Sequence, residues 1–158
     1  MDSKLQLWVE LSELQHRYVH VLDNNLLEQW AGFFVEDCRY EIISKENVDR
    51  NLPAPIVLCR NRGMLHDRIT SLRHANIFEA HTYRHAVSGL VITDARDDVV
   101  TTLSSYIVVN TGQAGETTVY QAGCYQDTVV KSEGQWRYKS KRCVYDTSRV
   151  ATLLATPI

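Results

Sequence analysis

The feature that most constrains the fold is a succession of long alternating segments that begins at residue 83. In "VVTTLSSYIVVNT", residues 99–111, Thr and Ser alternate with Val, Leu and Ile, a pattern typical of a half-buried antiparallel strand. Further strands are predicted at 83–93, 117–130 and 136–146, with turns at 94–98, 112–116 and 132–135. Each strand has an apolar face that another layer must cover.

Helical periodicity dominates the first half of the chain. Residues 3–23 are predicted to form a helix with Ser3 as N-cap, because one apolar stripe recurs at spacings of three and four. The stripe consists of Leu7, Leu11, Leu14, Tyr18 and Leu22. The remaining predictions are a short helix over Leu26, Leu27, Trp30, Phe33 and Phe34, a strand at 38–44, a loop at 45–55, a short strand at 56–59 and a helix at 62–78.

Helices followed by antiparallel strands predict an α+β fold. We expect the strands, with a bulge or bend at Gly123, to curl into a cone with an apolar interior around the N-terminal helices. The length of 158 residues fits a single domain over 1–158.

Composition excludes several classes of protein. A formal net charge of −2 is not the basic footprint of a nucleic-acid-binding protein. The sequence contains no long apolar run that could span a membrane, and its amphipathic N-terminus lacks the basic region of a signal peptide. The four cysteines are isolated from one another, which favours reduced, mostly buried thiols in a cytoplasmic protein.

Two histidine pairs are candidate metal ligands. Glu13, His16 and His20 share one helix face, but this face lies opposite the apolar stripe, so exposure to solvent or a subunit contact is the favoured interpretation. His81 and His85 would lie on one strand face but about 13 Å apart, so they need a kink to share a metal. For His85 we expect a polar contact at a helix–strand junction.

An acid among aromatic residues is the candidate for catalysis. Asp23, Trp30, Asp37 and Tyr40 fall within twenty residues, and a carboxylate inside an apolar cone could serve as a general base with a raised pKa. The simpler interpretation is that Asp23 ends a helix, Asp37 lies in a turn, and Trp30 and its aromatic neighbours fill the wide end of the cone. The sequence has no dinucleotide or phosphate-binding loop and no Cys-x-His pair for a Rieske cluster.

Three segments carry a family resemblance. They are "DNNLLEQWAGFFVEDCRYEI", "MLHDRITSLRHANIFEAHTYRHAVSGL" and "CYQDTVV" with the closing "WRYKSKRCVYDTSRVATLLATPI". Together they resemble the small (β) subunits of aromatic-ring-hydroxylating oxygenases, over nearly the whole chain. The "ANIFEAHTYRH" block is most similar to the group that acts on aromatic carboxylates, such as salicylate 5-hydroxylase, anthranilate dioxygenase and terephthalate dioxygenase.

This resemblance implies an NTF2-like, cystatin-type cone and an α3β3 hexamer in the cytoplasm. It implies that a large α subunit holds a Rieske [2Fe-2S] cluster and a mononuclear iron, with electrons supplied from NAD(P)H through a reductase. The β subunits would hold the assembly together, with no cofactor, catalytic residue or metal ligand of their own.

Subunit contacts are then the expected role of the polar residues near the aromatic cluster. Arginine suits such contacts because its planar fork pairs with carboxylates. The candidates are Arg68, Arg73, Tyr83, Arg84, His85 and Arg142. The alternative is a stand-alone isomerase or dehydratase with an Asp/His pair facing an open cavity, and a third possibility is a binding module without chemistry. A cone filled by Trp30, Phe33 and Tyr106 would count against the enzyme.

Overall fold

The computed structural model describes residues 3–75, 80–146 and 154–158 of the chain. The described helices are α1 (Ser3–Asp23), a 3-10 helix (Leu27–Phe33), α2 (Lys45–Asp49) and α3 (Arg62–His74). The described strands are β1 (Phe34–Ser44), β2 (Val57–Cys59), β3 (Thr82–Arg96), β4 (Val99–Thr111), β5 (Thr117–Ser132) and β6 (Gln135–Tyr145). This confirms the α+β prediction, and none of the described helices is long and apolar enough to cross a bilayer.

One sheet joins all the described strands in the order β2-β1-β6-β5-β4-β3. Its pairs are antiparallel except β1 with β6, which run parallel, with Tyr40 opposite Lys141 and Ile42 opposite Cys143. The register shifts in β1–β6, β3–β4, β4–β5 and β5–β6, and such irregularities increase twist and bend a sheet. The prediction of a purely antiparallel sheet is therefore wrong for the β1–β6 pair.

Helix α1 lies across the inner face of this sheet. Leu11, Leu14, Tyr18 and Leu22 of the predicted stripe are buried. Polar contacts fix the same helix: the Trp8 indole N–H donates to the carbonyl of Leu90 at 3.1 Å. Farther along, the Gln15 amide bonds Ser104 at 2.5 Å and the Trp136 indole N–H donates to Glu10 at 2.7 Å. The core therefore lies between α1 and the concave side of the sheet.

Several boundaries differ from the predictions for local reasons. Lys45–Asp49 is a short helix rather than a loop, because the Ser44 hydroxyl caps it by accepting the N–H of Asn47 at 3.1 Å. The third helix ends at His74, and 76–79 lie outside the described residues. Strand β1 already begins at Phe34, so Asp37 lies in a strand and not in a turn. Strand β3 continues to Arg96, so the predicted turn at 94–98 is shorter.

Gly123 lies in a regularly paired part of β5, where it allows close packing and does not form a bulge. Its pairing with Tyr106 on β4 and Tyr145 on β6 is regular. A Cβ at this position would lie 2.1 Å from the Val144 carbonyl oxygen and 2.9 Å from the Tyr106 hydroxyl. Glycine is required here because the neighbouring strand and a core tyrosine occupy the space of a side chain.

We expect Gly123→Ala to lower the free energy of unfolding by about 1–3 kcal/mol, the usual cost of overpacking a core. The measurement is urea denaturation followed by circular dichroism. Gly32→Ala is the matched control, because no atom of the described residues lies within 4 Å of the added Cβ there. Equal stability of the two variants would show that the strand–tyrosine contact at Gly123 is looser than described.

Candidate functional site

Aromatic rings fill the inside of the cone. Trp30, Tyr18, Tyr40, Tyr106 and Tyr125 are each no more than 1% exposed. Trp30 meets Tyr40 edge-on with ring centroids 5.0 Å apart, and Tyr106 stacks on Tyr125 at 4.4 Å. Such ring pairs stabilise a core beyond the area they bury. The rings of Trp30, Phe33 and Tyr106 are buried, which is the condition that counts against an open catalytic cavity.

Residues 154–158 complete this filling. Leu154, Ala155, Pro157 and Ile158 are buried, and Ile158 has 0% exposure. The hydroxyls of Tyr18 and Tyr40 both donate to the Ile158 carbonyl oxygen, at 2.8 and 3.1 Å. The apolar residues of this segment are thus part of the core.

A buried ion pair crosses the same interior. Lys141 and Asp127 lie directly opposite each other on β6 and β5, and their side chains form a 2.9 Å contact at 0% and 2% exposure. The Lys141 ammonium also lies 3.7 Å from the Tyr125 ring centroid, 4.4 Å from Tyr138 and 4.6 Å from Tyr18. Attraction to the carboxylate and to the three ring faces offsets the desolvation cost of burying the ammonium group.

Burial dominates the electrostatics of the pair. Desolvation raises the pKa of Asp127, and the neighbouring Lys141 opposes that shift. Among the described residues, one carboxylate oxygen, Oδ1, has no hydrogen-bond partner, and the void beside it measures about 10 Å³. That volume holds at most one water, so this part of the interior has no room for a substrate.

A second acid–histidine contact lies at the end of α1. The Asp23 carboxylate accepts the His85 backbone N–H at 3.0 Å and contacts the His85 ring nitrogen Nδ1 at 2.6 Å. The His85 side chain has 0% exposure, and its Nε2 has no hydrogen-bond partner in the part of the chain that the structure describes. This is the predicted polar contact at a helix–strand junction. It also brings together an acid and a histidine that the sequence had identified separately.

An open depression lies beside that contact. Its volume is about 320 Å³, within the range of small-molecule pockets. Its lining residues include Asp23, Arg73, His81, Tyr83 and Thr156. His81 packs against Tyr83 with ring centroids 4.4 Å apart. An acid thus faces a cavity, although both of its oxygens already contact His85.

The remaining acidic and metal-ligand candidates are at the surface. Glu13, His16 and His20 are exposed on α1, and the described parts of the chain contain no group of three His, Cys, Asp or Glu residues suited to a metal ion. Asp37 is also exposed and pairs with Lys139, which lowers its pKa. The general-base interpretation of Asp37 is therefore not supported by burial.

Most of the predicted subunit-contact residues have partners within the chain. Arg73 binds Glu28 at 2.7 Å, and Arg142 pairs with Glu41 at 2.5 Å. Further contacts join Arg68 to the Leu154 carbonyl at 2.8 Å, His85 to Asp23, and Tyr83 to the Tyr120 ring at a centroid distance of 5.1 Å. Arg84 is exposed on β3.

All four cysteines are unpaired thiols, as expected. Cys38, Cys59 and Cys143 are buried, and Cys124 is partly buried. Burial raises the pKa of Cys143 to about 12 and that of Cys38 to about 11. These thiols are therefore protonated and poorly nucleophilic at neutral pH.

Comparison with known proteins places this geometry in a family. Residues 4–142 match the SnoaL-like domain. The chain is 57% identical to the anthranilate 1,2-dioxygenase small subunit of Burkholderia cepacia, with 100% of this chain and 98% of that protein covered. The chain belongs to the small-subunit family of aromatic-ring dioxygenases. It thereby has the SnoaL-like, NTF2-like cone that the resemblance implied.

Two further members support the assignment. The terephthalate 1,2-dioxygenase terminal oxygenase component subunit beta 2 of Comamonas is 34% identical, over 95% of this chain and 97% of that protein. A crystal structure assigned to the beta subunit of an aromatic-ring-hydroxylating dioxygenase from Novosphingobium aromaticivorans superposes with a TM-score of 0.92. It is 43% identical and covers 99% of this chain and 100% of that one.

The small-subunit fold encloses one interaction that the sequence analysis missed. In β5 and β6, alternation places Asp127 with Tyr125 and Val129, and Lys141 with Cys143 and Tyr145, on the inner face. Opposite charges on the same apolar face of two neighbouring strands indicate a buried ion pair. The signal was available in the spacing but depends on knowing that the two strands are neighbours.

We expect Lys141→Ala to destabilise the chain by about 3–5 kcal/mol, because it leaves a buried carboxylate without its partner. Replacing both members, Lys141→Met with Asp127→Leu, should cost far less, since no charge is then buried. Denaturant unfolding of the single and double variants measures this coupling. Lys139→Ala, which breaks an exposed pair on the same strand, is the control and should change little. If single and double variants lose equal stability, the charges in the interior are not coupled.

Proposed function

We propose that this chain is the non-catalytic small (β) subunit of a multicomponent Rieske non-haem iron oxygenase that hydroxylates an aromatic carboxylate. The filled interior carries this proposal, because rings, an ion pair and residues 154–158 occupy the space in which a cone of this fold could otherwise hold a substrate. The similarity to anthranilate and terephthalate dioxygenase subunits supports the class of substrate.

The redox groups belong, in this proposal, to the large (α) subunit. There a Rieske [2Fe-2S] cluster and a mononuclear iron would receive electrons from NAD(P)H through a reductase. The described residues of this chain do not fit such groups, because no three metal-ligand side chains converge among them. We further propose an α3β3 assembly in the cytoplasm, where unpaired thiols such as these persist.

An exposed apolar patch on the convex side of the sheet supports a role in assembly. This outer patch consists of Val91, Leu103 and Ile107, which are 54%, 40% and 45% exposed, with Ala86, Ser88 and Ser105 between them. Pairing of Val91 with Leu103 and of Ala86 with Ile107 makes the patch continuous across β3 and β4. Contiguous apolar surface of this kind marks interaction sites.

Arg84 borders the outer patch and is our leading contact among the six predicted residues. It lies on the same strand face as Ala86 and opposite Val109 on β4. Its side chain is exposed, so it can pair with a carboxylate of another subunit without breaking a contact among the described residues of this chain. For Arg68, Arg73, Tyr83, His85 and Arg142 we propose indirect roles, in which they fix the loops and strands that present the interface.

Co-expression with the adjacent large-subunit gene tests the assignment. We expect a stable complex in sizing experiments, with iron and sulfide present only when the large subunit is present. The buried interface should exceed about 2,000 Å² in total, as in obligate complexes. A chain that stays separate from its large subunit at micromolar concentration would contradict the proposal.

We expect Ile107→Asp and Arg84→Glu each to weaken assembly by at least tenfold without changing the thermal stability of the isolated chain. The reason is that both side chains are exposed in the chain and would be desolvated at an interface. Analytical ultracentrifugation of the co-expressed proteins measures the effect. Arg96→Glu, at the far end of β3, is the matched control, because Arg96 is also exposed and lies twelve residues, about 40 Å, from Arg84. Unaltered assembly of both patch variants would place the interface elsewhere.

One observation favours a second candidate, an isomerase or dehydratase activity of the isolated chain. Asp23 contacts His85 and also lines the 320 Å³ depression. A test is hydrogen exchange next to the carbonyl group of small cyclic ketones in D2O, followed by NMR, with the chain free of large subunit. Exchange that is abolished by Asp23→Asn in a folded variant would promote this candidate, and exchange at the buffer rate would eliminate it.

A further inference from the structure

Four side chains inside the cone form a seat for the backbone N–H and backbone oxygen of one residue, Ile158. We define the amide seat as Tyr18, Trp30, Tyr40 and Cys143. The carbonyl oxygen of Ile158 accepts from Tyr18 at 2.8 Å, from Tyr40 at 3.1 Å and from the Cys143 thiol at 3.4 Å. The Ile158 N–H donates to the Tyr40 hydroxyl at 3.0 Å. The seat therefore recognises an acceptor oxygen and an adjacent N–H on the same ligand.

The amide seat is held in place by contacts that do not involve its occupant. The Trp30 indole N–H donates to the Tyr18 hydroxyl at 3.1 Å, and Trp30 packs edge-on against Tyr40. Tyr18 also packs against Tyr138 with centroids 5.5 Å apart. All four of these rings are at most 2% exposed. A binding site whose donors are fixed beforehand loses little entropy when a ligand enters.

Residues 154–158, which occupy the amide seat through Ile158, lie between the seat and solvent. Thr156, two residues before Ile158, lines the 320 Å³ depression at the surface. Ala155 and Pro157 beside it are buried, and Arg68 fixes the segment by donating to the Leu154 carbonyl at 2.8 Å. If residues 154–158 left this position, the depression would extend inward to the two tyrosine hydroxyls.

We propose that the interior of the cone is a binding site for a small apolar amide, and that residues 154–158 occupy it as a built-in ligand. The ligand class has a compact branched or aromatic group next to a carbonyl oxygen and an N–H, as in a peptide end or an N-acylated apolar amino acid. The site becomes available when residues 154–158 are displaced. This inference goes beyond the assembly function and does not depend on it.

The test uses the full-length chain with Ile158→Asp, because an ionised carboxylate is costly in the apolar position of the Ile158 side chain, which is 0% exposed. The probes are the pentapeptide LATPI, with the sequence of residues 154–158, and N-acetyl-L-isoleucine. We expect both to raise the melting temperature of the variant saturably and to shift tyrosine ring resonances in NMR. The unaltered chain should bind the probes at least tenfold more weakly, because its own segment fills the seat.

Two comparisons separate recognition of the amide from unspecific binding. Adding Tyr40→Phe to the variant should weaken binding about tenfold, since the ligand loses a donor and an acceptor. The acid 3-methylpentanoic acid has the same branched group without an N–H and should also bind about tenfold more weakly. Ile56→Asp is the matched control, because Ile56 is 46% exposed and its replacement leaves the seat filled.

Each result decides the proposal. If the Ile158→Asp variant does not fold alone, the proposal requires that LATPI restores its folded spectrum. A folded variant that binds neither probe would overturn it, and so would binding that is insensitive to Tyr40→Phe. Failure of an unfolded variant to recover with the peptide would also overturn it. None of these results affects assembly with a large subunit, which is measured separately.

Discussion

The contact between residues 154–158 and the tyrosines of the inner face decides what this cone can do. A curved sheet with a helix across its mouth leaves a hollow that must hold side chains, water or a ligand. Here rings from α1, β1, β4, β5 and β6 occupy it, and Ile158 takes the remaining space with its oxygen bound by Tyr18 and Tyr40. An interior closed in this way moves the function of the chain to its surface.

The polar groups inside the cone follow from the same closure. Lys141 can be buried because Asp127 lies directly opposite and three tyrosine rings surround the ammonium group. Burial raises the pKa values of Tyr18 and Tyr40 well above their ordinary value, which keeps their hydroxyls protonated as donors to Ile158. Charge and hydrogen bonds are thus satisfied within the chain, and this restricts the interior to one arrangement.

The sequence predicted what depends on local periodicity. The stripe from Leu11 to Leu22 and the alternation in β4 gave the helix and the strand, because each buries one face at its own period. Predictions failed where a single contact decides. Ser44 turns a predicted loop into a capped helix, and Gly123 proved to be a packing position because of its partners on two other strands. The parallel pairing of β1 with β6 joins residues about a hundred positions apart, which no local pattern encodes. For the same reason Asp23 and His85 were identified only as separate residues, and the Lys141–Asp127 pair was missed.

The central claim, that residues 154–158 fill the interior of the native chain, is tested most directly by hydrogen exchange at the Ile158 amide in the full-length protein. The Ile158 N–H donates to a buried tyrosine hydroxyl. We therefore expect it to exchange as slowly as the amides of the core strands, through global unfolding. Exchange near the rate of an unstructured peptide, with the strand amides still protected, would show that the segment leaves the cone readily and that its interior is open to water.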